Sequence, residues 1–190
     1  MITLPLFRFT EILGSHPVLL LSSRSGLHTN VMPVTWYVPL SSSPPLLGVS
    51  ITPSSYTHSL VRETGEFVLG IPDETMLKEI HFCGVHSGHD VDKVRYLNLV
   101  TSRSSEVSAL LLSDCVGHLE CRVRQILPTG DRRLLVSELL SLRLQPFAWD
   151  EGWTDQICLV HHMGGLKYQI GREVVTVNGI HPGYVPPKRD

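Results

Sequence analysis

Thr29-Asn30-Val31-Met32-Pro33-Val34-Thr35-Trp36 and Ser50-Ile51-Thr52-Pro53-Ser54-Ser55-Tyr56-Thr57 are the segments around which the chain is organised, together with Asp90-Val91-Asp92-Lys93-Val94. The first segment predicts a strand that carries an indole and small polar groups. The second predicts a strand that runs into hydroxyl groups at a helix start, where backbone N–H groups and the helix dipole favour a phosphate. The third segment supplies a cation. Together the three segments could hold a planar ring at one end and a phosphate at the other.

Length and charge limit the classes of protein to consider. A chain of 190 residues is long enough for one domain that buries about 70% of its unfolded surface. With 16 basic and 18 acidic residues, the chain offers no electrostatic case for nucleic acid or for an anionic membrane. The longest apolar run, Pro17 to Leu21, is far shorter than the ~20 residues of a membrane span, so we expect a cytoplasmic protein. The four cysteines are widely spaced, which predicts buried free thiols.

The first half of the chain alternates predicted strands with short helices. Residues 17–22 form a short apolar run, and a turn at Ser25-Gly26 predicts antiparallel pairing with residues 31–38. After a strand over residues 46–52, Ser54 or Ser55 can cap a short helix that Gly65 ends. A strand over residues 66–72 and a helix capped by Asp73 and running to Gly84 are predicted to follow, and then a polar loop to Asp92.

The second half is dominated by a predicted hairpin. Apolar and polar residues alternate over residues 118–124, and a turn at residues 128–131 leads into a strand over residues 134–144. Two strands of this length predict a strongly coiled antiparallel sheet or barrel. Residues 157–170 predict one last strand, interrupted by Gly164-Gly165. No linker is evident, so we expect one domain over residues 1–190, with an N-terminal extension at 1–15 and a loose tail at 180–190.

A set of short motifs occurs along the chain in a fixed order: Pro17-Val18 with a strand, Asn30 to Trp36, Pro44-Pro45 before a strand, Tyr56-Thr57, Glu63 to Val68, Ile71-Pro72, Asp92-Lys93, Glu120-Cys121 and Thr129-Gly130-Asp131. This order resembles the flavin reductase-like, FMN-binding split-barrel family, and the resemblance runs from about Pro17 to Tyr168. It implies a mostly β fold with short helices, built as a six-stranded antiparallel split barrel with Greek-key character. It also implies a homodimer with FMN near the subunit interface.

The resemblance further implies a set of cofactor-binding positions. They lie along the flavin ring (Asn30, Met32, Pro33, Val34, Thr35, Trp36), around the ring and the phosphate (Ser50, Ile51, Thr52, Tyr56, Thr57), beside the phosphate as a cation (Lys93), and in the late segment near the cofactor (His162, Gly164). Elementary chemistry agrees, because a phosphomonoester needs several donors and a cation, and Thr57 with Lys93 would supply both. No side chain is nominated as a general acid or base.

Simpler interpretations exist for the same residues. Trp36 could be a core aromatic, Ser54, Ser55 and Thr57 could only cap a helix, and Lys93 could be a solvated surface charge. A metal site is a further alternative. Three histidines, a cysteine and Asp92 within residues 81–92 are ligand types that suit zinc, although their spacing fits none of the common zinc patterns.

One departure from the family pattern bears on the electron donor. Members that use NAD(P)H often carry Gly-Asp-His at the hairpin turn, whereas this chain has Gly130-Asp131-Arg132. Arginine cannot act as a neutral acid or as an acceptor. The prediction is an FMN-binding oxidoreductase, with NADH- or NADPH-dependent flavin reduction as its reaction. The alternatives are a non-catalytic FMN electron carrier of the flavoredoxin type, reduced by a protein partner, and a metal-binding protein that uses residues 81–92.

Overall fold

The computed structural model describes residues 16–171, and antiparallel strands dominate them. The strands are β1 (Leu19–Ser25), β2 (His28–Val34), β3 (Tyr37–Ser42), β4 (Pro45–Ile51), β5 (Glu66–Ile71), β6 (Thr101–Arg103), β7 (Leu110–Leu112), β8 (Gly117–Thr129), β9 (Arg132–Leu144), β10 (Val160–His162) and β11 (Tyr168–Ile170). The α-helices are α1 (Tyr56–Thr64), α2 (Leu77–Val85) and α3 (Lys93–Tyr96), and short 3-10 helices span Glu74–Met76 and Pro146–Ala148. The expected N-terminal extension and C-terminal tail lie outside the described residues.

Seven of the strands form one antiparallel sheet in the order β2-β1-β5-β8-β9-β4-β3. Strands β2 and β3 lie at opposite edges of this order, although only Thr35 and Trp36 separate them in the chain. The sheet must therefore curl until its edges approach each other, but β2 and β3 do not pair. The result is a split barrel, as expected from the sequence.

The strand count differs from the expectation in two places. The sheet has seven strands rather than six, because the predicted strand over residues 31–38 is divided at Thr35 and Trp36, where the chain passes from one sheet edge to the other. The predicted last strand over residues 157–170 is a hairpin of β10 and β11 instead. Gly164 and Gly165 form its turn, and both have positive φ angles, which glycine adopts without strain.

The turn at Gly26 and the cap at Ser55 are confirmed, whereas Asp73 caps the 3-10 helix Glu74–Met76 and not α2. Strand β1 pairs with β2 in the register Leu21 to Met32, across the predicted turn at Gly26. The Ser55 hydroxyl accepts a hydrogen bond from the His58 backbone N–H at the start of α1, and Gly65 ends the helix with φ 70°. The long hairpin of β8 and β9 has 13 residues in each strand.

Strand β1 is covered on both faces, which explains its continuous apolar run. Leu19 and Leu21 face the barrel interior together with Phe67. Val18 and Leu20 face a second apolar cluster, which also contains Ile80 of α2. Helix α2 is thereby held against the β1–β2 side of the sheet. No helix within residues 16–171 is both long and apolar enough to cross a membrane.

Candidate functional site

The start of helix α1 is organised by Ser55. Its hydroxyl accepts from the backbone N–H of His58 (3.1 Å) and donates to the carbonyl of Thr52 (2.8 Å). The first backbone N–H groups of a helix have no acceptor within the helix, so those of Tyr56 and Thr57 remain for another partner. Ser55 therefore serves as the cap, as the simpler interpretation held for it, while the N–H groups beside it remain donors.

A cavity of about 210 Å³ lies at this helix start. Its walls come from the helix start, from strand β2, from the end of α2 with the loop after it, and from the start of α3. Six residues predicted from the sequence line it: Asn30, Met32, Pro33, Tyr56, Thr57 and Lys93. The Asn30 side-chain amide donates to the Thr57 hydroxyl at 2.8 Å, and both residues are buried. The fold thus gathers residues from three distant parts of the chain.

Lys93 is buried rather than solvated, with 3% of its surface exposed. Its ammonium group donates to the carbonyl of Val31 at 3.0 Å and to the carbonyl of Cys83 at 2.8 Å. Burial lowers the pKa of Lys93, because the charged form loses its hydration. An ammonium group has three donors, so one N–H remains beyond the two carbonyl bonds. Asp92 places this lysine by capping α3, since its carboxylate accepts from the Arg95 backbone N–H at 3.1 Å.

The loop after helix α2 approaches the helix start closely at Gly88. A Cβ atom at this position would lie 2.7 Å from Asn30 Cγ and 2.7 Å from Tyr56 Cδ1, so only glycine fits without movement. Ser87 and Gly88 both line the cavity. The sequence interpretation did not nominate these two residues. The only available signal was a serine and a glycine in a polar loop just before Asp92-Lys93.

A larger cavity of about 490 Å³ shares Pro33 and Gly84 with the first one as lining residues, so the two adjoin. Besides Pro33, two further predicted residues line it, Thr35 and His162, and Gly165 does so next to the predicted Gly164. Its other walls include apolar side chains and two groups that the prediction did not name as cofactor contacts, His81 and Tyr168.

Titratable side chains meet on one wall of this larger cavity. His81 Nδ1 lies 3.2 Å from the Tyr168 hydroxyl, and the ring centroids of His162 and Tyr168 are 5.3 Å apart. Burial raises the pKa of Tyr168. The wall can therefore donate and accept hydrogen bonds inside a mainly apolar cavity.

The remaining predicted residues lie elsewhere. Among the described residues that line the two cavities, none is Val34, Trp36, Ser50, Ile51, Thr52 or Gly164. The side chains of Val34 and Ile51 belong to the barrel core, which leaves their backbone groups alone for contact with a ligand.

Trp36, Ser50 and Thr52 are instead gathered by Arg132. The guanidinium lies over the Trp36 ring at 4.4 Å from its centroid, donates to the Thr52 hydroxyl at 2.7 Å and donates to the Ser50 carbonyl at 3.2 Å. Burial lowers the pKa of Arg132. Its Nε atom is buried without a hydrogen-bond partner among the described residues. Arg132 is the first residue of β9, and these contacts connect the start of β9 to the end of β4.

The alternative metal site is not assembled in residues 16–171, which contain no group of three or more histidine, cysteine, aspartate or glutamate side chains arranged to hold a metal ion. The candidate ligands are directed to different partners. His81 contacts Tyr168, His86 Nδ1 contacts the Phe82 carbonyl, and His89 packs against Tyr56. The apparent cluster in the sequence is therefore dispersed by the helix and the loop.

The fold and its paired cavities define an antiparallel split-barrel protein with a polar site at a helix start. Residues 14–167 match the sequence model described as the flavin reductase like domain. The chain therefore belongs to the flavin reductase-like domain family. The match covers most of the chain, including every element that lines the smaller cavity.

Individual proteins and solved structures are also similar to this chain. An uncharacterized protein of Archaeoglobus fulgidus is 45% identical over 111 residues, which are 58% of this chain and 63% of that protein. The structure of an FMN-binding protein from Thermus thermophilus with bound 1-cyclohex-2-enone has a TM-score of 0.78 at 22% identity, covering 86% of this chain and 90% of that one. The flavoredoxin of Desulfovibrio vulgaris (Miyazaki F) has a TM-score of 0.78 at 20% identity, covering 89% and 93%. These superpositions establish the shared fold.

Proposed function

We propose that this protein binds FMN and carries out redox chemistry through it, with NADH- or NADPH-dependent flavin reduction as its reaction. The observation that carries the proposal is the position of Lys93, a buried ammonium group that lines the same cavity as the start of helix α1. A buried cation needs compensation, and its two carbonyl partners carry only partial charges. The FMN-binding relatives with the same fold support the identity of the ligand.

The residues of the smaller cavity suit a phosphomonoester. Lys93 would supply a charged donor, the backbone N–H groups of Tyr56 and Thr57 would supply neutral donors, and the positive end of the α1 dipole favours an anion there. Ser87 and Gly88 of the loop after α2 would lie beside the group. The absence of a Cβ at Gly88 is what lets this loop lie against Asn30 and Tyr56.

The larger cavity suits a ring system. It continues from Pro33 and Gly84 along the end of strand β2 to Thr35. Its mainly apolar walls would hold a flat ring, while Tyr168 and His162 would offer hydrogen bonds to polar ring atoms. Trp36, Ser50, Ile51 and Thr52 remain predicted ring contacts through their backbone groups, because the side chains of Trp36 and Thr52 are held by Arg132. When bound, the flavin supplies hydride or electron transfer, and the chain orients it and excludes water.

One observation favours the second candidate, an FMN electron carrier reduced by a protein partner. Arg132 stands where nicotinamide-using relatives carry a histidine, and its guanidinium is already engaged with Thr52, Ser50 and the Trp36 ring. A side chain held in this way is less available to a nicotinamide than a free imidazole would be. The electron donor therefore separates the two candidates.

Flavin binding is tested first, by titrating the purified protein with FMN and recording its absorption spectrum. We expect a yellow protein with one flavin for each chain. A protein that stays colourless after the titration would contradict the proposal. Elemental analysis of the same sample tests the metal-binding alternative, which predicts close to one metal ion for each chain.

The donor is tested next, by adding NADH or NADPH to the yellow protein without oxygen. Loss of the visible flavin bands within minutes would support flavin reduction by a nicotinamide. Unchanged bands with both nucleotides, in a protein that dithionite still bleaches, would support the carrier.

A homodimer is also proposed, through the β3 side of the barrel. An apolar hollow of about 260 Å³ lies there, lined by residues such as Leu46, Leu119 and Leu139. Val38 and Leu40 of the edge strand β3 are 47% and 45% exposed beside it, a pattern typical of subunit contacts. Light scattering should give twice the chain mass, and Val38→Glu combined with Leu40→Glu should give the chain mass itself.

A further inference from the structure

A column of three aromatic rings stands at the mouth of the smaller cavity. The Phe82 ring stacks on His86 with centroids 3.9 Å apart and planes 19° apart, and it stacks on Tyr96 at 4.7 Å and 10°. Because both partners are nearly parallel to Phe82 at stacking distance, they occupy its opposite faces. His86 and Tyr96 are therefore the two ends of the column.

The His86 end of the column faces the cavity. His86 is exposed to solvent and lines the cavity together with Thr57 and Lys93. Its ring is held in place by the contact of Nδ1 with the Phe82 carbonyl at 3.1 Å and by the stack itself. Phe82 covers one face of the imidazole, and within residues 16–171 no other aromatic ring contacts His86, so the second face of this exposed ring is accessible beside the cavity. An exposed, preoriented ring beside an anion cavity is suited to a flat group that is attached to the anion.

We propose that the open face of His86 binds the adenine of FAD, so that the protein accepts FAD in preference to FMN. The inference rests on the proposed flavin site and identifies which flavin nucleotide the site takes. The phosphate that FMN and FAD share occupies the cavity at Thr57 and Lys93. The second phosphate and ribose of FAD pass out through the mouth, and the purine extends the column His86, Phe82, Tyr96. Bases stack on aromatic side chains through their π faces, which every purine offers.

The experiment is a calorimetric titration of the full chain with FMN and, separately, with FAD. In the wild-type protein we expect FAD to bind about tenfold more tightly than FMN, the contribution of one stacked base. In His86→Ala the two dissociation constants should agree within about twofold, because the open ring face is gone. His86→Phe keeps a flat ring at this position and should keep the preference for FAD.

The matched control is His89→Ala. His89 belongs to the same loop, but its ring packs against Tyr56 with centroids 4.9 Å apart, outside the column. Whatever this substitution does to flavin affinity, the ratio of the FMN and FAD dissociation constants should stay at the wild-type value. Damage to the cavity that weakens FMN and FAD binding equally leaves the ratio of their dissociation constants unchanged, so it cannot be mistaken for the loss of the stacking contact.

The outcomes separate this inference from the proposed function. Equal affinities for FMN and FAD in the wild-type protein, or a preference for FAD that survives His86→Ala, would overturn the FAD assignment and leave FMN binding standing. Failure to bind either flavin would overturn both. NAD⁺ shares the adenosine diphosphate portion of FAD, and we expect it not to displace FMN. Displacement of FMN by NAD⁺ that is lost in His86→Ala would assign the column to the nicotinamide dinucleotide instead and overturn the FAD assignment.

Discussion

Lys93 is a buried cation and Arg132 a half-buried one, and each is held by two oxygen acceptors. Lys93 donates to two backbone carbonyls, and Arg132 donates to a hydroxyl and a carbonyl. Within residues 16–171 neither side chain has a carboxylate at ion-pair distance, whereas Arg122, Arg124 and Arg143 pair with glutamates. Burial lowers the pKa of both Lys93 and Arg132.

Both cations keep an unused donor, a third N–H on Lys93 and Nε on Arg132, so the difference between them lies in what surrounds each one. Lys93 has a compact ammonium group with a third donor, and it lines a cavity with Thr57 and Asn30. Arg132 has a planar guanidinium that covers the Trp36 ring and joins strand β9 to the end of β4. A planar guanidinium can stack on a ring and donate hydrogen bonds at the same time, which suits a structural contact between two strands. A cation with a spare donor beside a cavity suits a ligand instead.

The largest expected effect comes from Lys93→Met, which removes the charge and keeps an unbranched side chain. We expect FMN affinity to fall about 100-fold, because a hydrogen bond to a charged group is lost at the phosphate. Lys78→Met is the control, since Lys78 lies exposed on α2. Calorimetric titration gives both affinities. A Lys93→Met protein that binds FMN within threefold of wild type would remove the distinction between the two cations.

A smaller loss of FMN affinity is expected from Gly88→Ala, which changes the shape of the Lys93 cavity and leaves every charge in place. The new methyl group would lie 2.7 Å from Asn30 Cγ and Tyr56 Cδ1, so the loop must move away. We expect FMN affinity to fall about tenfold and the free energy of unfolding to fall by about 1–3 kcal/mol. Gly152→Ala is the control, because nothing lies within 4 Å of a Cβ there. Equal urea midpoints and equal affinities for the two variants would contradict the close approach.

For Arg132→Met the expected effect is on stability rather than on binding. Loss of the contact with Trp36 and of two hydrogen bonds should lower the free energy of unfolding by about 1–2 kcal/mol. FMN affinity should change by less than about threefold, a shift of under 1 kcal/mol. Urea denaturation and calorimetry measure the two quantities, with Arg103→Met as the exposed control. A tenfold loss of FMN affinity would show that Arg132 belongs to the ligand site after all.

The smallest effect is a pH dependence that belongs to Lys93. Its pKa in the folded protein lies below the ordinary value of 10.5, so the unfolded chain binds more protons between these two pKa values. The contribution of Lys93 to the free energy of unfolding should therefore rise with pH across that window. The measurement is the difference between wild type and Lys93→Met in urea titrations at several pH values, because titrating groups that do not interact with Lys93 are common to both proteins and cancel. A difference that falls or stays level with rising pH would contradict the burial of a charged lysine.

Local signals account for the parts of the fold that the sequence predicts well. The cap at Ser55, the turn at Gly26 and the long hairpin each depend on residues within a few positions of one another. The count of strands was wrong because the interruption at Thr35 and Trp36 is not a local break. It arises where the chain must cross between the two edges of a curled sheet.

The candidate site divides in the same way. Asn30, Thr57 and Lys93 were predicted from the ordered motifs, and the fold brings them to one cavity. His81, Gly88 and Tyr168 were not nominated as cofactor contacts. Their positions beside the cavities depend on how α2, the loop after it and the β10–β11 hairpin pack on strand β2. The periodicity of apolar residues along the chain does not predict this packing.

The sequence by itself determined the family, the strand and helix signals and the residue types that suit an anion, because these depend on short-range order along the chain. Only the tertiary structure decided that Lys93 is buried against the carbonyls of Val31 and Cys83. It also decided that the Arg132 guanidinium stacks on Trp36 and donates a hydrogen bond to Thr52. The physical reason is that the burial and partners of a charge depend on segments far apart in sequence. Those segments meet only when the barrel has curled and α2 has packed against it.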